Sequence, residues 1–298
     1  MSVISIHELK KYYGKSRGVE SVTFDVEEGE IFGFIGPNGA GKSTTIKLLL
    51  SLLKPDQGSA SIFDLDIIKD SAKIKEDLGY VPGEVRYYPD MRVSQLMETT
   101  LRFHHKNPSD YRSLQKELCD IFDLDSTKKF EDLSLGNKKK AAIAQALIHN
   151  PKLIILDEPT NGLDPLIQKY LFEYLKKLNR AGATILFSSH NLTEVQTNCR
   201  RAAFIKEGRI IEMEDLTANS KKEKVVTVTL EDSSRTLETL PGEASHLLHT
   251  GGNEYTFLYK GESEQLLTYL NTLSPKDFIV ENASLESRFL SYYEGGHA

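Results

Sequence analysis

Eight residues constrain this chain more than anything else in it. Gly36-Pro37-Asn38-Gly39-Ala40-Gly41-Lys42-Ser43 fits the pattern G-x-x-x-x-G-K-[ST]. The run before it, Ile31-Phe32-Gly33-Phe34-Ile35, is continuously apolar, as in a strand buried on both faces. After it, Ile46, Leu49, Leu50 and Leu53 recur at helical spacing, which predicts a helix over Ser43–Leu53 that Pro55-Asp56-Gln57-Gly58 stops. A glycine-rich turn elsewhere would be only a turn. Between a buried strand and a helix start it is a phosphate cradle. Small residues let successive backbone N–H groups curl around an anion, and the helix points its positive end at it. Lys42 adds a full charge, Ser43 offers a hydroxyl to Mg²⁺, and Thr44 follows in the first turn.

A second element answers the first. Leu153-Ile154-Ile155-Leu156 reads as another buried strand, and it ends in the adjacent carboxylates Asp157 and Glu158. Acidic residues often do no more than end a strand. Beside a phosphate cradle they have work: Asp157 can orient the Mg²⁺ shell, and Glu158 can polarise an attacking water as general base.

The same alternation continues. Ala183–Phe187 is an apolar run fit for an interior strand, and the amphipathic Tyr170–Asn179 suits a crossover helix. Val22, Phe24 and Val26 alternate with polar residues, as in a half-buried strand of an antiparallel meander. The expected core is therefore α/β with a mixed sheet. From about Arg92 to Asp132 the strand signals vanish, while Leu96, Met97, Leu101, Leu114, Leu118 and Phe122 keep helical spacing, which predicts an inserted helical subdomain, about 92–136. The polar, lysine-rich stretch 215–224 reads as a linker. Beyond it, strands at Val225–Leu230, Tyr255–Tyr259 and Asp277–Val280 and helices at Glu264–Leu273 and Leu285–Tyr293 predict a small α+β domain over 225–298.

Composition excludes several classes. The 298 residues suffice for two domains, and 39% hydrophobic with 27% charged is ordinary for a globular protein. A net charge of −6 speaks against nucleic acid as a partner. Cys119 and Cys199 lie far apart without a CxxC spacing, so they read as free thiols of a reducing compartment. No apolar run approaches the roughly 18–20 residues that cross a bilayer, and the first residues lack a signal-peptide core. The expectation is a cytoplasmic protein that reaches a membrane only from outside it.

Four further segments carry a family resemblance. Leu133-Ser134-Leu135-Gly136-Asn137 resembles the LSGGQ signature of ABC ATPases and stands about twenty residues before the carboxylate pair, as it does there. Asn161-Gly162-Leu163-Asp164 looks like the D-loop of that family, and Ser188-Ser189-His190 is similar to its switch-histidine segment. Tyr13, before Gly14, matches the aromatic that stacks on adenine; Tyr12 beside it is the alternative. The order agrees across residues 1–214, so the chain is identified as a P-loop NTPase of the ABC ATPase type.

The resemblance implies ATP with Mg²⁺ and a site built by two domains facing head to tail. Ser134 and Gly136 of one would cover the γ-phosphate held by Lys42 of the other. His190 would bridge that phosphate and the water near Glu158, and Asp164 would hold the opposite domain in register. Taken alone, Ser134 reads equally well as a helix cap. The implied partners are a second ABC ATPase subunit, identical or not, and a separate membrane permease, with the chain held at the inner face of the membrane. Asn282–Leu290 resembles a stretch near the ends of ABC-2-type exporter ATPases for drugs, bacitracin or amphipathic peptides, which favours export.

There are departures. The signature has Leu135 and Asn137 where Gly and Gln are commonest. The family's glutamine after the strand Gly79-Tyr80-Val81-Pro82 is missing; Gly83 and Glu84 stand there, and Glu84 is a candidate replacement oxygen ligand for Mg²⁺. Val85, Tyr87 and Tyr88 are candidates for the permease contact, with plain core packing as the other reading. Lys138-Lys139-Lys140 and Lys221-Lys222 read as solvated faces. His104-His105 and His246 with His249 lack a convincing set of metal ligands.

Overall fold

The computed structural model describes residues 1–216, 223–231, 246–284 and 287. They divide into two compact units, Met1–Asn191 with Asn198–Met213, and Leu192–Thr197 with Glu214–Ala298.

The first unit is built on a ten-stranded mixed sheet. Its elements in chain order are β1 (Ser2–Tyr13), β2 (Ser16–Glu27), β3 (Ile31–Ile35), α1 (Lys42–Leu49), β4 (Gln57–Ile62), β5 (Leu65–Asp66), α2 (Ser71–Glu76) and β6 (Leu78–Val81). Then come α3 (Val93–Phe103), α4 (Arg112–Ile121), α5 (Leu135–Leu147), β7 (Leu153–Asp157), α6 (Pro165–Arg180), β8 (Thr184–Ser189), β9 (Arg201–Lys206) and β10 (Arg209–Asp215); nearly all of the short helix α7 (Leu192–Asn198), which follows β8 in the chain, counts with the second unit. The strand order is β5-β4-β1-β2-β10-β9-β3-β8-β7-β6. β3 pairs in parallel with both β8 and β9, β7 pairs in parallel with β6 and β8, and β1 pairs antiparallel with β2 and β4.

β3 and β7 are buried at every residue, as their unbroken apolar runs require. The sheet curls sharply. Phe24 on β2 stacks on Phe32 of β3 at 5.3 Å between ring centroids, although two strands separate β2 from β3. In a flat sheet those strands would stand about 14 Å apart. Strand β3, β8 and β7 therefore end side by side at one rim, and the phosphate-cradle residues, His190 and the carboxylate pair all follow those ends.

Helix α1 is shorter than its apolar spacing predicts. Leu50 caps it, and Ser51 turns left-handed at φ 55, so Leu53 lies outside the helix although it still packs on the core. Between Arg92 and Asp132 lie the helices α3 and α4 and a 3-10 turn at Pro108–Tyr111, and the β contact there is an isolated bridge between Arg92 and Lys129.

The second unit carries an antiparallel sheet in the order β12-β13-β11-β14, from β11 (Glu223–Thr229), β12 (His246–Gly251), β13 (Glu254–Lys260) and β14 (Asp277–Asn282), with α8 (Ser263–Leu273). Val226, Val228, Tyr255, Phe257 and Tyr259 pack on Leu266 and Leu270 of α8. β11 begins at Glu223, inside the stretch expected as linker, and residues 217–222 with Lys221-Lys222 lie outside the described residues. So does nearly all of the helix expected at Leu285–Tyr293, and with it most of the exporter-like stretch.

Candidate active site

The loop after β3 closes on itself around Lys42. The Lys42 ammonium donates to the carbonyls of Gly36 at 2.6 Å and Pro37 at 3.2 Å, and it is 4% exposed. Gly36 is glycine for lack of space: a Cβ there would sit 2.4 Å from the Ile205 carbonyl oxygen. Gly39 and Gly41 have φ of +80° and +115°, a backbone that side chains rarely tolerate. A cavity of about 220 Å³ opens over this loop, lined among others by Tyr13, Asn38, Lys42, Ser43, Thr44 and Glu158. Ala40 is buried beneath the loop.

Tyr13 borders that cavity and is half exposed. Tyr12 does not: its hydroxyl donates to Glu20, and its N–H donates to Asp56 at 2.7 Å. Arg17, which sequence reasoning passed over, also lines the cavity; as a lone base in a strand it carried no signal.

The end of β7 supplies the acids. Asp157 is buried and accepts from the Ser188 hydroxyl at 2.7 Å. Glu158 takes a left-handed backbone, φ 46, and its N–H donates to the carbonyl and the hydroxyl of Ser188. A non-glycine residue held there is strained, and that strain turns the carboxylate into the cavity. One Glu158 oxygen lies 3.1 Å from the Lys42 ammonium. The other accepts from Asn161 at 2.5 Å and lies 3.2 Å from Nδ1 of His190. Burial pushes the Glu158 carboxyl up, but Lys42, Asn161 and His190 outweigh it and hold it below the usual carboxylate range. Ser188 and Asn161 were not singled out in the sequence, although each sits inside a segment that was.

Ser134 and Asp164 both cap their own helices. Ser134 accepts from the Asn137 N–H at 3.3 Å at the start of α5, and Asp164 accepts from the Ile167 N–H at 3.1 Å at the start of α6. Both are exposed. Gly136 lies against the D-loop-like turn: a Cβ on it would be 2.8 Å from the Gly162 carbonyl. The structure brings none of Ser134, Gly136 and Asp164 to the cavity of their own chain.

Glu84 is not brought there either. Arg86 takes its carboxylate with two donors at 3.0 and 2.6 Å, and both side chains are largely exposed. The guanidinium two residues on competes for Glu84 and draws it outward. Tyr87 turns inward: its hydroxyl donates to Gln145 at 2.6 Å, its ring stands edge-on to Phe130, and burial pushes its pKa up to about 12. Tyr88 is 75% exposed, and Val85 is half-buried.

The lysine run of α5 differs from its expected solvated face. Lys139 and Lys140 are buried, because helix α5 turns this side towards the sheet with Ala142 and Ile143. The Lys139 ammonium donates to the carbonyls of Pro82, Gly83 and Asp157. Burial pulls its pKa down to about 8, against the opposing pull of Asp157 and Glu158. Among the described residues no cluster of three or more His, Cys, Asp and Glu could hold a metal ion. A hydroxyl and a carboxylate, Ser43 and Asp157, do make a donor set suited to a hard, phosphate-bound cation.

Known proteins resemble this chain in sequence and fold. The family model described as ABC transporter matches residues 19–161. The Nod factor export ATP-binding protein I of Burkholderia lata is 31% identical over 292 residues, 96% of this chain and 95% of its own length. The chain belongs to the ABC transporter family. Two other relatives are the linearmycin resistance ATP-binding protein LnrL of Bacillus subtilis, 34% identical over 70% of this chain and 68% of its own, and the bacitracin transport ATP-binding protein BcrA of Bacillus licheniformis, 30% identical over 99% and 98%. A solved dimeric post-hydrolysis state of an ATP-binding cassette, bound to ADP and Pi, aligns with a TM-score of 0.66 at 26% identity, over 72% of this chain and 98% of that one. This ABC ATPase is thus the ATP-binding, ATP-hydrolysing subunit of an ABC transporter, with the P-loop α/β fold of its family. ABC ATPases of this kind work as dimers with membrane permeases. Among the described residues no helix is long and apolar enough to cross a membrane.

Proposed function

We propose that this ABC ATPase powers export of a drug-, lipid- or peptide-like substrate, as one of two ATPase subunits beneath a membrane permease. The relatives named for bacitracin transport, Nod factor export and linearmycin resistance support export. The division that goes with this reading is an ATPase domain over 1–214 and an accessory domain over 225–298. Its place is the inner face of the membrane, held there by the permease.

One observation carries the chemistry: the Glu158 carboxylate is held between the Lys42 ammonium and the His190 ring. Bound ATP places its γ-phosphate on Lys42, Tyr13 stacks on the adenine, and the N–H groups of residues 36–44 hold the β-phosphate. The phosphate displaces Glu158 from Lys42, because a doubly charged oxyanion competes better for the ammonium than one carboxylate does. Glu158, ionised and still held by Asn161, then accepts a proton from the attacking water, and His190 steadies the phosphate. Ser43 and Asp157 would hold Mg²⁺, which would supply positive charge to the phosphate oxygens. Glu84 is outside this set while Arg86 holds it.

Ser134, Gly136 and Asp164 serve the partner subunit in a site completed only in the dimer; their absence from the cavity of their own chain supports this. The exposed Leu135, 74% accessible beside them, fits a surface that a partner covers. Tyr88, with Val85 and Tyr87 behind it, is the proposed permease contact.

The test is steady-state turnover of Glu158→Gln. Loss of the base lowers kcat by at least about 100-fold with ATP affinity retained. Turnover within a few-fold of the parent protein would remove Glu158 from the role.

A further inference from the structure

Lys139 sits where the sequence suggests a solvated charge, and the structure makes it a three-way bond inside the protein. An ammonium has three N–H donors and no acceptor. Its acceptors here are the carbonyls of Pro82 at 2.9 Å, Gly83 at 3.3 Å and Asp157 at 3.3 Å. All three donors therefore have a partner, which a cation only 3% exposed needs if its burial is to be tolerated.

The three carbonyls belong to two structures. Pro82 and Gly83 begin the loop after β6; Asp157 ends β7, next to Glu158. The lysine comes from a third, α5, five residues beyond its cap Ser134, or about 7.5 Å along the axis. Gly83 completes the packing. A Cβ at residue 83 would stand 3.3 Å from a carboxylate oxygen of Asp157, so this loop lies directly against the acid. One side chain thus connects the helix start carrying Ser134 and Gly136 to the strand end carrying Asp157 and Glu158, across the loop where Gly83 and Glu84 stand.

We propose that Lys139 is a positioning residue for ATP hydrolysis: it fixes the orientation of the α5 start and of the loop after β6 relative to the Asp157–Glu158 strand end. This rests on the ATPase reading above. Lys139 touches neither the phosphate loop nor the cavity over it, so the link governs the geometry of turnover and leaves the binding of nucleotide to the loop unchanged.

Full-length Lys139→Met keeps the stem and removes all three donors; Lys139→Gln keeps two donors on a shorter stem. Mg-ATP affinity by calorimetry, kcat, and amide exchange of peptides covering 83–88 and 134–141 are measured on both. In Lys139→Met, affinity stays within about two-fold and kcat falls about tenfold or more, because small misplacement of reacting groups is costly. Exchange rises at both segments together and not at 36–43. Lys139→Gln recovers part of kcat and part of the protection. Unchanged kcat and exchange in Lys139→Met would overturn the proposal, as would a loss of affinity equal to the loss of kcat. If Lys139→Met does not fold, Lys139→Gln decides: a kcat at least about three-fold lower at unchanged affinity supports the link, and parent-level kcat refutes it. Absent turnover in the parent protein would count against the ATPase reading, and the exchange measurement would still decide the Lys139 link.

Discussion

Lys42 and Glu158 are ion-pair partners at 3.1 Å, and in the proposed mechanism each takes a second task once a phosphate arrives. A lysine held by two loop carbonyls and one carboxylate keeps its place without a ligand, so the loop is preorganised and only Glu158 must move. The loop itself is set by space as much as by chemistry. Gly36→Ala drives a methyl into the Ile205 carbonyl at 2.4 Å and should cost at least about 2 kcal/mol, whereas Gly39→Ala meets nothing within 4 Å and should cost only about 1 kcal/mol for its φ of +80°. Thermal melts of the two variants check this; equal losses would contradict it. Glu84→Ala should leave Mg-ATP turnover within about two-fold, since its carboxylate is spent on Arg86 in two surface bonds of small net worth. Loss of Mg²⁺-dependent turnover in that variant would restore Glu84 as a ligand. At this scale residue type and its neighbours in the chain were enough to point to residues that line the cavity, as at Lys42, Ser43 and Glu158. They were not enough where a side chain's partner comes from another element. Lys139 reads as solvent-facing because a charge run usually is, and only the carbonyls of residues 82, 83 and 157 show otherwise.

Helices α3 and α5 meet the rim of β6 through two histidines. His104, at the end of α3, stacks on His149, just beyond α5, at 3.7 Å between ring centroids. His149 lies 3.2 Å from the Leu78 carbonyl, and burial, with His104 next, pulls its pKa down to about 4. In the unfolded chain the imidazole takes its proton near pH 6.5. The folded state therefore binds fewer protons between those values. Stability is whole above pH 6.5 and falls as pH drops towards 4, by at most about 3 kcal/mol from this residue. Urea midpoints at pH 7.5 and pH 5 should fall less in His149→Phe than in the parent protein; the same fall in both would refute the assignment. Elements themselves were legible where period and burial agree, as in β3, β7, β8 and α6. α1 ends four residues before its apolar spacing does, because the left-handed Ser51 breaks the helix while Leu53 still finds the core. Strand β12 (Leu247, His249 and their neighbours) escaped notice because its side chains alternate weakly and its partner β13 alone makes it a strand.

On the scale of the molecule, the candidate functional residues form two groups, one at the cavity and one outside it. Tyr13, the phosphate loop, Asp157, Glu158 and His190 gather where parallel strands end. Ser134, Gly136 and Asp164 stand at helix starts outside that cavity, on a surface with the exposed Leu135. Nothing in residue types told these groups apart; only their order and spacing, shared with a family, assigned the second group to a facing subunit. On the proposed reading, a single chain has every part of a site and no complete one. The measurement that tests this most directly is light scattering on Glu158→Gln with and without Mg-ATP. Closure without hydrolysis should trap the pair, and the account predicts that the mass doubles only when ATP is added. A monomer that persists with ATP bound would contradict a site built by two copies of this chain.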